Sequence, residues 1–109
     1  MTKSVVIFGA AGQLGVELVR EFSARRCQVH SFTRRQIDLT DGAQIRRAIE
    51  QSQPDVVLNA AAYNMVDLAE QDPQGAYAVN ALAVQAMAVA CRQFDSKFVH
   101  FSTDYVFDG

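Results

Sequence analysis

Gly9-Ala10-Ala11-Gly12-Gln13-Leu14-Gly15, set between the run Ser4-Val5-Val6-Ile7-Phe8 and an amphipathic stretch beginning at Leu14, is the segment that decides the fold. The first run is short, apolar and β-branched, the pattern of a parallel strand buried on both faces, and it reads as the central strand. Beyond the glycines, Leu14, Leu18, Val19 and Phe22 recur at helical spacing with Glu17, Arg20, Glu21 and Arg25 opposite them, which predicts a helix from Gly12 to Arg25. Strand, glycine turn and helix in that order make a cradle for an anion. Gly9 permits a tight turn off the strand, Gly12 lets backbone approach a pyrophosphate, and Gly15 lets helix and strand pack closely. Unpaired N–H groups at the helix start and the helix dipole supply the attraction. The spacing G-x-x-G-x-x-G is one residue longer between its first two glycines than the common dinucleotide fingerprint. Its flanking strand and helix are what make it a dinucleotide site, with Gly9, Gly12, Gln13, Leu14 and Gly15 as its contacts. No Lys-Ser or Lys-Thr follows, which excludes a nucleoside-triphosphate loop.

Outward from this loop, strand and helix keep alternating. Cys27 to Phe32 reads as a second strand, and Thr40 with Asp41 can cap a helix carried by Ile45, Ala48 and Ile49 to about Ser52. Val56 to Leu58 is a third strand, followed by an irregular polar stretch from Asn59 to Asp72. Pro73 suits the first turn of a long helix, whose apolar stripe of Ala76, Val79, Ala83, Met87, Ala90 and Phe94 runs to about Gln93. Lys97 to Phe101 is a fourth strand. Four strands alternating with helices and joined by right-handed crossovers predict an α/β fold: a Rossmann-like, doubly wound parallel sheet, of which this chain is the N-terminal portion.

A chain of 109 residues is one domain or part of one. Its net charge of −2 gives no field to gather nucleic acid or an anionic membrane, so neither partner is expected and any phosphate must be bound locally. Cys27 and Cys91 have no second Cys or His at zinc spacing, so no metal is expected, and both read as buried small hydrophobes. His30 and His100 fall in strands without ligand partners and read as packed or half-exposed residues. With no secretory h-region and no apolar run of membrane-spanning length, a reducing, cytoplasmic setting is expected.

The second strand ends in Thr33-Arg34-Arg35, where a site selective for NAD carries an acid for the ribose 2′-hydroxyl. Arg34 or Arg35 can instead meet the 2′-phosphate of NADP through a forked guanidinium, or both can be solvated surface arginines. Asp38 and Leu39 offer a carboxylate and an apolar wall to the adenine edge, or Asp38 serves as a turn residue.

Further motifs resemble one family. Val57-Leu58-Asn59-Ala60-Ala61-Ala62-Tyr63, then Val66-Asp67 and Ala69-Glu70, and the ending Ser102-Thr103-Asp104-Tyr105-Val106-Phe107-Asp108-Gly109 resemble the dTDP-4-dehydrorhamnose reductases, which are extended short-chain dehydrogenases. With the glycine loop and Asp38-Leu39-Thr40, the resemblance spans the chain. It implies reduction of the C4 ketone of a dTDP-linked 4-dehydro-6-deoxyhexose by NADPH, with NADH as the second cofactor the fold admits. By the same resemblance Ala60, Ala61 and Ala62 lie against the cofactor's ribose and pyrophosphate. Thr103 hydrogen-bonds the substrate carbonyl and the catalytic acid, or serves as a strand-end cap. Val66 and Tyr105 line the sugar pocket beside Asn64, and Asn80 is a structural support. Where the family usually has Thr-Ala-Val-Asp-Lys this chain has Asn64-Met65-Val66-Asp67-Leu68, which leaves the sugar less defined than the fold.

Two other readings share the fold: an NAD-holding nucleotide-sugar epimerase or dehydratase, and a non-catalytic regulatory subunit. The family's proton donor is a Tyr with a Lys four residues later. Here Asp67, Ala81 and Gly109 follow Tyr63, Tyr77 and Tyr105 at that distance. The chain is therefore expected to stop short of the catalytic Tyr/Lys helix and the sugar-binding lobe, to be inactive alone, and to dimerise, if at all, in its full-length form.

Overall fold

The computed structural model describes residues 3–61 and 73–101, with backbone alone for 73–80. Four strands, β1 (Ser4–Phe8), β2 (Gln28–Phe32), β3 (Val56–Asn59) and β4 (Lys97–His100), form one parallel sheet in the order β2-β1-β3-β4. Between them, among the described residues, run α1 (Gln13–Ala24), α2 (Gly42–Ser52) and α3 (Pro73–Gln93). The predicted helix bounds hold to within a residue. The strands shift slightly: Cys27 and Phe101 fall just outside β2 and β4, and Asn59 closes β3 instead of opening a loop.

β1 is central, pairing with β2 from Ser4↔Gln28 to Phe8↔Phe32 and with β3 from Val5↔Val56 to Phe8↔Asn59. Its side chains alternate between two cores, as the period of two in a strand requires. Val6 and Phe8, with Val57, meet Ile45 and Ile49 of α2 and Ala83, Met87 and Ala90 of α3. Val5 and Ile7, with Leu58, meet Leu18, Val19 and Phe22 of α1 on the other face. Burying each such large apolar side chain stabilises the fold by about 1.5–3 kcal/mol. Cys91 belongs to the first core, and its burial pushes the thiol pKa up to about 11, so it is an inert packing group as expected. Cys27 departs from expectation: it is only half-buried, because it precedes β2 and packs against the rim of the α1-side core.

The topology fixes where a ligand can sit. The chain leaves β1, adds β2 on one side, then crosses back over β1 to add β3 on the other, so α1 and α2 lie on opposite faces. The carboxyl ends of β1 and β3 therefore flank the switch point of the sheet, where open α/β sheets receive their ligands. Among the described residues no helix is long and apolar enough to cross a membrane.

Candidate functional site

The glycine loop leaves β1 at that switch point. Gly9 has φ +80°, and a Cβ there would come within 2.6 Å of the Ala61 backbone. Gly15 faces the same constraint from the helix side: a Cβ would collide with the Gly9 carbonyl oxygen and stand 2.7 Å from Ala10 Cα. Both glycines are thus demanded by the packing of the chain on itself. Gly12 is different. It is the N-cap of α1, at φ −75° and ψ 170°, extended backbone open to any residue. Nothing in its own conformation requires glycine, which fits a residue kept small for a ligand.

Among the described residues no side chain caps the first turn of α1. Gly12 brings no side chain to the N–H groups of Gln13, Leu14 and Gly15, and no acid stands in that turn. α2 shows the alternative, since Asp41 Oδ1 accepts the Ala43 N–H at 3.0 Å and closes that helix with the chain's own carboxylate. Asp41 caps alone. Thr40, the other expected cap, is held by Asp38 instead.

The end of β2 comes up against the loop. Gly9 N–H and Ala10 N–H both donate to Phe32 O, at 3.0 and 3.1 Å, so the segment after β2 starts beside the glycines. Ala11, Gly12, Thr33, Arg34 and Arg35 line one open cavity of about 720 Å³. The expected glycine contact and the expected arginine are therefore brought together. Asp38 sits outside this wall. Its Oδ1 accepts the Thr40 N–H at 2.9 Å and the Thr40 hydroxyl at 2.6 Å, and these bonds hold its carboxyl below the usual carboxylate range. Asp38 thus holds a turn through Thr40. Leu39 packs partly against the α2–α3 core.

Ala60 and Ala61 are buried beside Gly9, with Ala60 N–H donating to Phe8 O at 2.9 Å. What holds them is Asn59, a fully buried polar side chain that the sequence reading assigned no role of its own. Its Oδ1 accepts the Ala61 N–H at 3.0 Å, and its Nδ2 lies 3.1 Å from His100 Nδ1 at the end of β4. Because Oδ1 is engaged with a backbone donor, the amide turns its NH₂ to the imidazole, and Nδ1 must accept. His100 is then neutral, with its proton on Nε2. Although partly open to solvent, the ring has its pKa lowered by burial, and protonation would set donor against donor. The available signal in the sequence was an amide closing an otherwise apolar strand. Asn59→Leu should leave the Ala61 N–H unmet and cost about 1–3 kcal/mol in chemical denaturation. Since the folded His100 binds its proton less readily than the unfolded one, this part of the stability is fully present above the ordinary His value and declines as pH falls below about 6.5.

The expected site residues Ala62, Asn64, Val66, Thr103 and Tyr105 lie outside the described residues, as does the side chain of Asn80. His30 is half-buried in β2, in keeping with a strand residue.

Comparison with known proteins gives one consistent picture. Residues 2–109 match the family described as RmlD substrate binding domain. The chain is 45% identical over 105 residues to a dTDP-4-dehydrorhamnose reductase of Burkholderia thailandensis, covering 96% of this chain and 35% of that protein. It is 44% identical over 108 residues to one of Mycobacterium tuberculosis, covering 99% and 35%. Among solved structures, a dTDP-4-dehydrorhamnose reductase from Bacillus anthracis in complex with NADP superposes with a TM-score of 0.85 at 36% identity, covering 98% of this chain and 38% of that one. The chain thus spans little more than a third of the length of these relatives and corresponds to their N-terminal portion.

Proposed function

Since this chain belongs to the RmlD substrate binding domain family, we propose that it is the cofactor-holding part of an NADPH-dependent reductase that acts on the C4 ketone of a dTDP-linked 4-dehydro-6-deoxyhexose. The observation that carries this reading is the pairing of an uncapped helix N-terminus at Gly12 with Arg34 and Arg35 across one cavity. The pyrophosphate rests on the N–H groups of Gln13, Leu14 and Gly15, and the arginines meet the adenosine 2′-phosphate. When bound, NADPH supplies the hydride. Ala60 and Ala61, pressed against Gly9, give the ribose a flat, small-residue wall. From the family resemblance Ala62 continues that wall, Asp38 and Leu39 approach the adenine, and Thr103 hydrogen-bonds the ketone. Asn64, Val66 and Tyr105 line the sugar pocket. The setting is the cytoplasm, and the partner is the nucleotide sugar.

The arginines give the test. A charge-assisted hydrogen bond to phosphate contributes roughly 1.5–3 kcal/mol, more than a factor of ten in affinity. Replacing Arg34 and Arg35 together by Ala should weaken NADPH more than about tenfold in calorimetric titration and leave NADH nearly unchanged. Equal loss for the two cofactors would remove the case for NADPH selection.

A further inference from the structure

Arg34 and Arg35 ride on a tight turn whose closure depends on a residue outside the cavity. Gln36 N–H donates to Thr33 O at 3.0 Å and Ile37 N–H to the same oxygen at 3.2 Å, while Gln36 Oε1 reaches back to accept the Thr33 N–H at 2.9 Å. The Gln36 side chain meets the Thr33 N–H as the glutamine of a capping box does, while the other bonds close the turn backbone to backbone, so that both backbone groups of Thr33 are tied to Gln36. Thr33 directly follows Phe32, whose carbonyl holds the Gly9 and Ala10 N–H groups. One line of bonds therefore runs from the glycine loop through Phe32 and Thr33 to Gln36, and the two arginines are the residues it encloses. Gln36 itself does not line the cavity shared by Gly12 and the arginines. Its side chain borders a separate hollow with Ile37, Asp41 and Gln44. β2 is an edge strand of the described sheet, so no further strand steadies this turn from outside.

We propose that Gln36 is a positioning residue for cofactor selection: by holding the Thr33 N–H it fixes the Arg34–Arg35 turn against Gly12 and so sets the preference for a 2′-phosphorylated dinucleotide. The inference rests on the reading of the arginines as the 2′-phosphate contact. Arg carries large rotamer freedom, and a turn that already faces the glycine loop lessens the ordering needed on binding.

Gln36→Met keeps the length of an exposed side chain and removes its acceptor. Affinities for NADPH and NADH, and for the fragments 2′,5′-ADP and 5′-ADP, are measured by calorimetry in four proteins: the parent, Gln36→Met, Arg34→Ala/Arg35→Ala, and the combination. Gln36→Met is expected to weaken NADPH and 2′,5′-ADP about three- to tenfold while NADH and 5′-ADP change by less than about twofold. In the background lacking both arginines the same substitution is expected to have no effect on NADPH, because a residue acting through the arginines loses its influence with them. Gln36→Met weakening both cofactors alike, changing neither, or acting undiminished without the arginines would overturn the proposal while the arginine reading stood. Loss of both cofactors in the double-arginine variant alone would overturn the arginine reading, and this inference with it.

Discussion

Gly12→Val abolishes dinucleotide binding and leaves the chain folded. The backbone at Gly12 is extended, so a β-branched residue fits there without strain, and the exchange of an N-cap glycine for valine costs only about 1 kcal/mol of helix stability. The isopropyl group lies over the first turn of α1, where the pyrophosphate must approach the Gln13, Leu14 and Gly15 N–H groups. Affinity for NADPH and NADH should drop together by more than about a hundredfold, or roughly 2.7 kcal/mol, in calorimetry. Circular dichroism should stay that of the parent. Gly15→Ala gives the opposite pattern. Its Cβ has no room between the Gly9 carbonyl and Ala10, so α1 must lift from the end of β1, at about 3 kcal/mol or more of stability. A Gly12→Val protein that still binds cofactor like the parent would reduce the loop to a simple turn.

The second large effect is an absence of turnover. These 109 residues are expected to bind NADPH and reduce nothing, because they hold no Tyr with a Lys four residues on. In the family that Lys lowers the phenol's pKa and holds the cofactor ribose, and the i, i+4 spacing brings the two together on one helix face. Neither lysine of this chain can substitute. Lys3 immediately precedes β1 and Lys97 begins β4, and in a parallel sheet both ends lie on the edge opposite the glycine loop. Strands of this length put those edges roughly 13–16 Å apart. Without a positioned general acid the rate falls by about 10²–10⁴-fold on that account alone. NADPH oxidation in the presence of dTDP-4-dehydrorhamnose, compared with a longer polypeptide that supplies such a Tyr–Lys pair, measures it. Comparable rates in the two would show that the reaction does not need the pair.

Much of this was legible from residue order. The buried run before Gly9 and the helical spacing after Gly12 fixed the first strand, turn and helix, since each local preference agrees with the packing that follows. Asp41 was legible as a cap for the same reason. The shared cavity is legible only in half: the missing acid singles out Arg34 and Arg35, but that they face Gly12 depends on the hydrogen bonds from Gly9 and Ala10 to Phe32, which no spacing reveals. Asn59 and Gln36 escaped for a related reason. Amides look alike in sequence whether solvated or engaged, and their roles come from partners at His100 and Ala61 in one case and from a turn reversing on itself in the other. Asp38 is a further case, since its bonds to Thr40 belong to the fold of the turn and cannot be read from residue order.

The central claim is that the dinucleotide lies on the N-terminus of α1 with its 2′-phosphate at the arginine turn. Titration of the ¹⁵N-labelled protein with NADPH and then NADH, followed by amide and guanidinium chemical shifts, tests it most directly. Saturable shifts at Gly12, Gln13, Leu14 and Gly15 with both cofactors, joined by shifts at Arg34 and Arg35 with NADPH alone, are the predicted result. Unmoved amides from Gly12 to Gly15, or shifts gathered instead around the hollow between α2 and α3 at Gly42, Arg46 and Ala86, would contradict it.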